Sequence, residues 1–388
     1  MKFLEELASR RRFGMKPGLG TMLRVTERLG NPQGRVKAVH IAGTNGKGAV
    51  AAMLDACIKG GRYTSPHLVR LNERYFLHGQ PVGEKKLEEL ASRVAAVADA
   101  DMTFFEALTA MAFLLYSEIP DEYTVLETGL GGRLDATNIC RPELTVITRI
   151  GLDHCDWLGG DVKTVAAEKA GIIKPGVPVI VGKNADEALE VFAARAKEAG
   201  APFHYAPDLA AESEIPALLP LKGAFNRENA VTAIAALKTL GIPSARLVDT
   251  VWPGRFQKIG GYIIDGAHNP PAAKALAESL AGRKVDLIAG FCGDKDVKTV
   301  LDTLKPNIVK AYAVATCNQR SLGPEKTAEI MRAAGMEAVS CGSLSEALEA
   351  TRGRDTLICG SLFLAGEALV ALGAYPWEVG KFDAAELL

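Results

Sequence analysis

Residues 39–49 read Val-His-Ile-Ala-Gly-Thr-Asn-Gly-Lys-Gly-Ala. An apolar, β-prone run through Val36, Ala38, Val39 and Ile41 ends in Gly43-Thr44-Asn45-Gly46-Lys47-Gly48, and an Ala-rich, helix-favouring stretch from Val50 to Cys57 follows. Strand, glycine-rich turn, lysine and helix form a recipe for holding a polyphosphate. Glycines let backbone N–H groups converge on phosphate oxygens, the helix N-terminus adds positive potential, and Lys47 supplies a full charge. The Ser or Thr that ordinarily follows the lysine and binds Mg²⁺ is missing, because Gly48 and Ala49 stand there. Ligands for Mg²⁺ must then come from elsewhere in the chain. The plainer alternative is a glycine-rich turn of any doubly wound fold.

Around this loop, β-like runs (Val36–Ile41, Tyr123–Glu127, Leu144–Arg149, Pro178–Val181, Tyr262–Asp265, Lys284–Gly290, Ala311–Ala315, Thr356–Cys359) alternate with helical stretches such as Phe105–Ser117, Ala185–Ala199 and Asn229–Leu240. Such alternation predicts an α/β fold with mainly parallel sheets. A length of 388 residues predicts two domains. The Pro- and Gly-rich segment 252–261 is read as a linker between a nucleotide-binding domain, 1–255, and a smaller Rossmann-like α/β domain, 262–388.

Composition narrows the function classes. Lys+Arg 45 against Asp+Glu 46 leaves a net charge of −1, with no basic excess for nucleic acid and no polybasic tail for a membrane. Arg10-Arg11-Arg12 reads as a solvated helix end, and neither a membrane span nor a signal-peptide core is evident. The seven cysteines are scattered and never C-x-x-C, which fits reduced thiols in a cytoplasmic protein.

Parallel sheets place ligands at the carboxyl ends of their strands, and several run ends carry polar groups. Thr64-Ser65-Pro66-His67-Leu68 offers the Ser65 hydroxyl or is an ordinary turn. Glu127 closes a buried run before Gly129-Leu130-Gly131-Gly132-Arg133-Leu134-Asp135-Ala136, where a carboxylate beside a phosphate loop suits Mg²⁺. His154 follows the Leu144–Arg149 run, although imidazole is an unusual ligand for so hard an ion. Lys169, in Ala-Glu-Lys-Ala-Gly-Ile, reads by composition as a solvated or snorkelling amine. Arg255 in the linker can reach a phosphate, and Asp265-Gly266-Ala267-His268-Asn269-Pro270 and Gly293-Asp294-Lys295-Asp296 end two further runs.

Taken together, Gly-Thr-Asn-Gly-Lys-Gly, Thr-Ser-Pro-His-Leu, Phe105-Glu106, Glu-Thr-Gly-Leu-Gly-Gly-Arg-Leu-Asp-Ala-Thr-Asn, Leu-Asp-His, Glu-Lys-Ala-Gly-Ile, Pro-Gly-Arg, Asp-Gly-Ala-His-Asn-Pro, Asp-Lys-Asp and, at 360–367, Gly-Ser-Leu-Phe-Leu-Ala-Gly-Glu resemble, in order, the bacterial folylpolyglutamate synthase/dihydrofolate synthase family of the Mur ligase superfamily. The resemblance covers nearly the whole chain. It implies a P-loop ATPase domain followed by a glutamate-ligase domain, and an ATP- and Mg²⁺-dependent amide ligase that adds L-glutamate to dihydropteroate, to folylpolyglutamate or to both. By the same resemblance Lys47, Glu127, His154, Lys169 and His268 carry catalysis. Ser65, Glu127, His154 and a carbamylated Lys169 hold two Mg²⁺ ions. Thr44, Asn45, Gly46, Lys47, Gly48, Ala49, Asn229, Arg255 and Asp265 bind ATP. Gly18, Leu19, Gly20, Thr103, Phe104, Phe105, Glu106, Leu134, Asp135 and Ala136 line the pterin site. A monomer acting on folates, with no nucleic-acid or membrane partner, is implied. The chain departs from the family at Ala49, where Ser is usual, at Phe225-Asn226, and in short stretches near 57–63 and 205–223. Two other readings stand beside this one: a peptidoglycan-type Mur ligase, which shares the mechanism, and a nucleotide-binding regulator that has lost catalysis.

Overall fold

The computed structural model describes residues 2–9, 18–151, 160–293, 295–318 and 320–377, so Arg10-Arg11-Arg12, His154 and Asp294 lie outside the described residues. Two sheets organise the chain. The first contains β1 (Lys37–Ala42), β2 (Gly61–Tyr63), β3 (Tyr75–Leu77), β4 (Gln80–Pro81), β5 (Tyr123–Glu127), β6 (Leu144–Ile147), β7 (Val179–Val181) and β8 (Phe203–Tyr205). Their order is β4-β3-β2-β5-β1-β6-β7-β8, parallel from β2 to β8 with β3 and β4 antiparallel at one edge. The second contains β9 (Gln257–Ile259), β10 (Tyr262–Ile264), β11 (Val285–Ala289), β12 (Ile308–Ala313), β13 (Ala338–Ser340) and β14 (Thr356–Cys359), in the order β13-β12-β11-β14-β10-β9. Only β9 runs antiparallel in it. This is the mainly parallel α/β architecture that the alternation predicts.

Strand β1 shows why its run is mostly apolar. Val39 and Ile41 pack with Val125 and Val146 in one cluster, while Ala38 packs with Leu126 in another. Both faces are covered, so neither tolerates the polar alternation of a half-exposed strand. The helix Lys47–Ile58 fills one face with small side chains (Ala49, Val50, Ala51), which let it lie close to the equally Ala-rich helix Ala224–Leu240. On the other face the helix Phe104–Tyr116 is buried from Glu106 onward.

Two expectations are corrected. The stretch read as a linker, 252–261, already carries β9, which pairs with β10 around a Gly260-Gly261 turn in which Gly260 has φ 57°. The glycines read as interdomain punctuation are a hairpin turn inside the second sheet. The helix expected from Asn229 begins at Ala224, after Gly223 at φ 95°, because Phe225 packs toward the core of the second sheet.

The two halves interlock. Leu68 and Val69, which follow β2, sit in a core cluster with Ile264, Ile288, Ile358, Leu364 and Leu369 of the second half. Glu73 Oε1 accepts from the amides of Val69 and Arg70 and from the Tyr375 hydroxyl at 2.5 Å, and its Oε2 accepts from the amide of Leu68. Trp377 stacks edge-on against Phe76 with ring centroids 5.2 Å apart.

One buried ion pair ties the phosphate-loop helix to β2. Arg62 Nη1 lies 3.0 Å from Asp55 Oδ2, with both side chains almost fully buried, and the guanidinium stacks 3.7 Å from the Phe76 ring centroid. Removing one partner of such a pair leaves an uncompensated charge, so Asp55→Ala should cost about 3–5 kcal/mol, read as a lowered urea midpoint. The double change Asp55→Leu with Arg62→Met should cost clearly less, because it removes both charges together.

Candidate active site

The carboxyl ends of β1, β2, β5 and β6 meet around the phosphate loop. After β1 the backbone turns through Gly43 (φ 157°) and Gly46 (φ 90°), and Gly46 caps the helix Lys47–Ile58. Added Cβ atoms at these glycines would stand 1.8 Å from Thr148 Oγ1 and 2.3 Å from Asn229 Oδ1, so the loop is pressed between β6 and the helix Ala224–Leu240. Thr148 donates to Asn45 O at 2.9 Å, and Thr44 Oγ1 donates to Gly151 O at 3.0 Å. Two lysines converge on one carbonyl: Lys47 Nζ lies 3.0 Å and Lys169 Nζ 2.9 Å from Gly43 O. Lys169 is only 3% exposed, which corrects the compositional reading of a solvated amine. Its helix, Val162–Ala170, packs so closely on the Gly131-Gly132 loop that a Cβ on Gly132 would stand 3.1 Å from Lys169 Cα.

Glu127 ends β5 beside this loop and is 4% exposed. Its Oε2 accepts from the Ser65 amide at 3.0 Å. Burial pushes its carboxyl up, while Lys47, the Ser65 amide, Arg255 and Arg62 act in the opposite sense. A buried carboxylate that ends a strand next to a phosphate cradle is a hard oxygen donor, and its chemistry fits Mg²⁺. From the second half, Arg255 faces Asp265 and Glu127; burial lowers its pKa and both carboxylates raise it. Asp265 accepts from the amides of Phe256 and Ala267, each at 2.8 Å, and so fixes the loop that bears Arg255 and His268. His268 Nδ1 donates to Gly266 O at 2.8 Å.

The segments expected to line a pterin pocket adjoin this centre. Thr103 and Glu106 form a capping box on the helix Phe104–Tyr116, and Phe105 lies over Gly129, where a Cβ would stand 2.5 Å from its ring. Gly18, Leu19 and Gly20 lead into the helix Gly20–Arg28, whose Met22 and Val25 share a cluster with Ala107, Leu108 and Ala136. Asp135 Oδ2 accepts from the amides of Gly129 and Leu130, and Oδ1 from the amide and hydroxyl of Thr137. The side chains of Thr103, Glu106, Asp135 and Asp265 thus hold backbone in place. The apolar surface at this edge comes from Phe104 and Phe105.

Two family profiles match the chain: the Mur ligase middle domain over residues 41–215, and the Mur ligase glutamate ligase domain over 254–362. The dihydrofolate synthase/folylpolyglutamate synthase of Bacillus subtilis is 33% identical over 345 residues, spanning 76% of this chain and 80% of the relative. The protein of the same name from Escherichia coli is 32% identical over 409 residues, spanning 96% and 95%. The chain belongs to the dihydrofolate synthase/folylpolyglutamate synthase family of Mur ligases. Among solved structures, E. coli FolC in complex with DHPP and ADP superposes with a TM-score of 0.86 at 30% identity, covering 96% of this chain and 97% of that one. The bifunctional folylpolyglutamate synthase/dihydrofolate synthase of Yersinia pestis complexed with AMPPNP and a Mn ion gives 0.85 at 29%, with the same coverage.

Sequence reasoning missed three residues at the centre of this Mur ligase. Asn184 accepts from the Ile150 amide and donates to Thr148 O, holding the backbone beyond β6. Its position just past β7, at the carboxyl edge of a parallel sheet, was the available signal. Trp252 packs on Gly48, and Glu73 anchors the loop after Ser65; a tryptophan beside Pro253-Gly254-Arg255 was a signal, whereas nothing local marked Glu73.

His40 offers a test of this scaffold. It is fully buried on β1, its Nε2 lies 2.8 Å from Thr137 Oγ1, and burial first, then the Lys174 charge, brings its pKa down to about 3. The unfolded chain takes up this proton near the ordinary pKa of about 6.5 and the folded one does not. Stability should therefore fall as pH drops from 6.5 toward 3, by about 1.4 kcal/mol per pH unit from this residue. His40→Gln should flatten the pH dependence of the unfolding free energy by one proton over that window. His67, lowered in the same direction by burial, keeps its own contribution in both proteins.

Proposed function

We propose that this chain is an ATP-dependent amide ligase that joins the amine of L-glutamate to a carboxylate of dihydropteroate, of folylpoly-γ-glutamate, or of both. The observation that carries the reading is the convergence of the buried Glu127 and Ser65 with Lys47 and Lys169 on one phosphate loop, with Arg255 arriving from the other half. The names of the relatives from B. subtilis and E. coli support the folate substrates over a peptidoglycan precursor. ADP and AMPPNP–Mn in the neighbouring structures support ATP and a divalent cation.

A carboxylate is a poor acylating agent because its leaving group is poor. The substrate carboxylate oxygen attacks the γ-phosphorus of ATP, the bond to the β,γ-bridging oxygen breaks, and ADP departs, leaving an acyl phosphate. The neutral glutamate amine then attacks the acyl carbon, phosphate leaves with the electrons of the C–O bond, and the nitrogen gives up one proton, which the departing phosphate can carry. Phosphoryl transfer depends chiefly on positioning and charge. The amides at residues 46–48 and the Lys47 ammonium hold the polyphosphate, and Arg255 faces it across the interface. Glu127, the Ser65 hydroxyl and Lys169, as a carbamate, would hold two Mg²⁺ ions, with His154 as a further ligand beyond the described residues. Held there, divalent cations would supply charge to neutralise the phosphates. A carbamate would replace the ammonium that now meets Gly43 O with an oxygen donor. Asn229 and Asp265 border the nucleotide. Phe104, Phe105 and the Leu134-Asp135-Ala136 turn flank the pterin, and His268 faces the incoming glutamate. Thr44, Asn45, Gly48 and Ala49 complete the phosphate loop. The two domains, divided before the segment that carries Arg255 and β9, would close over ATP and keep water from the acyl phosphate. We read the enzyme as cytoplasmic, in keeping with its scattered cysteines, and as a monomer by its family resemblance.

The deciding assay is ADP release with Mg·ATP and L-glutamate, comparing dihydropteroate with tetrahydrofolate. Acceptor-dependent turnover is expected, and silence with both while ADP still binds would overturn the reading. Glu127→Ala should abolish turnover and leave the fold intact, read as an unchanged far-ultraviolet circular dichroism spectrum. With ¹³C-bicarbonate, a carbamate resonance should appear in the wild type and be absent from Lys169→Arg, which should also lose turnover.

A further inference from the structure

The residue after the phosphate-loop lysine is a glycine for a steric reason. Gly48 lies in the first turn of the helix Lys47–Ile58, where alanine would be the better helix former. A Cβ there would stand 2.2 Å from Cζ2 of Trp252 and 3.0 Å from its Cε2 and Cη2. The benzenoid edge of the indole occupies the place where a side chain at position 48 would begin. The indole Nε1 is buried with no hydrogen-bond partner among the described residues, so packing, not a polar anchor, holds the ring. The guanidinium carbon of Arg62 lies 5.5 Å from the ring centroid, and Arg62 pairs with Asp55, two turns further along the same helix. Trp252 therefore addresses the phosphate-loop helix twice: directly at Gly48, and through Arg62 at Asp55.

Three residues after Trp252 comes Arg255. The intervening Pro253 and Gly254 are buried, and the Gly254 amide is held by Gln257 Oε1 at 2.9 Å. Pro66, Leu68, Trp252, Pro253, Arg255, Leu362 and Trp377 border the same small cavity, where the two halves touch. The indole thus sits between the first turn of the helix, whose amides face phosphate, and the segment that carries the cation from the other half.

We propose that Trp252 is a positioning residue of the ligase: its ring sets the first turn of the phosphate-loop helix against the Arg255 segment, so that both meet the same polyphosphate. The inference rests on the phosphate-loop reading above. It makes the size of residue 48 and the size of residue 252 interdependent. A methyl group at 48 drives the helix and the ring apart, and a smaller residue at 252 makes room for it.

The test compares wild type, Gly48→Ala, Trp252→Val and the double variant, with ADP affinity measured by calorimetry in the presence of Mg²⁺ and with kcat and the KM for ATP in the ADP-release assay. Gly48→Ala should weaken ADP binding by about tenfold, the size of an ordinary overpacking penalty. Trp252→Val should lower kcat more than it raises the KM for ATP, because Arg255 loses its register. The double variant should bind ADP more tightly than Gly48→Ala alone. Trp252→Phe keeps an aromatic ring of smaller reach, so it should retain most activity and also relieve Gly48→Ala, which supplies the comparison if the valine variant fails to fold. Independent, multiplying effects of the two substitutions would overturn the proposal, as would wild-type ADP binding by Gly48→Ala. A wild-type protein that binds no ADP would instead overturn the phosphate-loop reading, and the inference with it.

Discussion

The burial of one negative charge governs the rest of the site. Glu127 ends a central strand with almost no contact with solvent, and isolated burial of a carboxylate is costly enough that the group would otherwise take up a proton. The fold answers with positive groups from separate pieces of chain. Lys47 comes from the loop after β1, the Ser65 amide and Arg62 from β2 and its continuation, and Arg255 from the segment before β9. Each favours the charged form and opposes the rise that burial imposes. The requirement that stabilises the anion also gathers the groups that phosphoryl transfer needs.

Glycine does a second job in this arrangement beyond its backbone freedom. Gly43 and Gly46 have positive φ, which explains their place in a loop that presents amides. Gly48, Gly129 and Gly132 are different: what excludes a side chain there is a neighbour, namely Trp252, Phe105 and the helix that carries Lys169. Each marks a point where one layer touches the backbone of another. The glycine-rich motifs are therefore read twice, once as conformation and once as tight packing between layers. The second reading explains why the residue directly after the phosphate-loop lysine carries no side chain.

Much of this architecture is legible in the amino-acid order, and the limits of that legibility are physical. Runs buried on both faces, such as β1, β5, β11 and β14, announce themselves because most of their positions are apolar. Short edge strands such as β3, β4 and β9 carry little such signal, and β9 was hidden in a stretch whose glycines suggested a linker. Helices with one polar face, including Pro324–Ala333 and Gly20–Arg28, blend into a charged background. At the site, motif residues with a charge at a strand end stood out. The burial of Lys169 did not, because it depends on the distant Gly131-Gly132 loop and on Gly43. Glu73 was invisible for the same reason: its partners include Tyr375, 302 positions away.

That long-range bond shows how the two halves share one site. The loop after β2 begins at Ser65, on the Glu127 carboxylate, and passes Leu68 and Val69, which belong to the core of the second half. A Cβ on Gly366 would stand 2.7 Å from Leu68 O, so the helix Leu362–Ala371 bears directly on this backbone. Glu73 then binds the loop's own amides and the Tyr375 hydroxyl with one carboxylate. The connection through Trp252 and Arg255 is a second tie to the same half. A displacement of the second half therefore moves Arg255 and the Ser65–Val69 backbone together. Arg255 and the loop that begins at Ser65 cannot be adjusted separately. Such coupling suits a reaction whose activated intermediate must form only when both halves are in place, because an acyl phosphate formed in an open site would meet water before it met an amine.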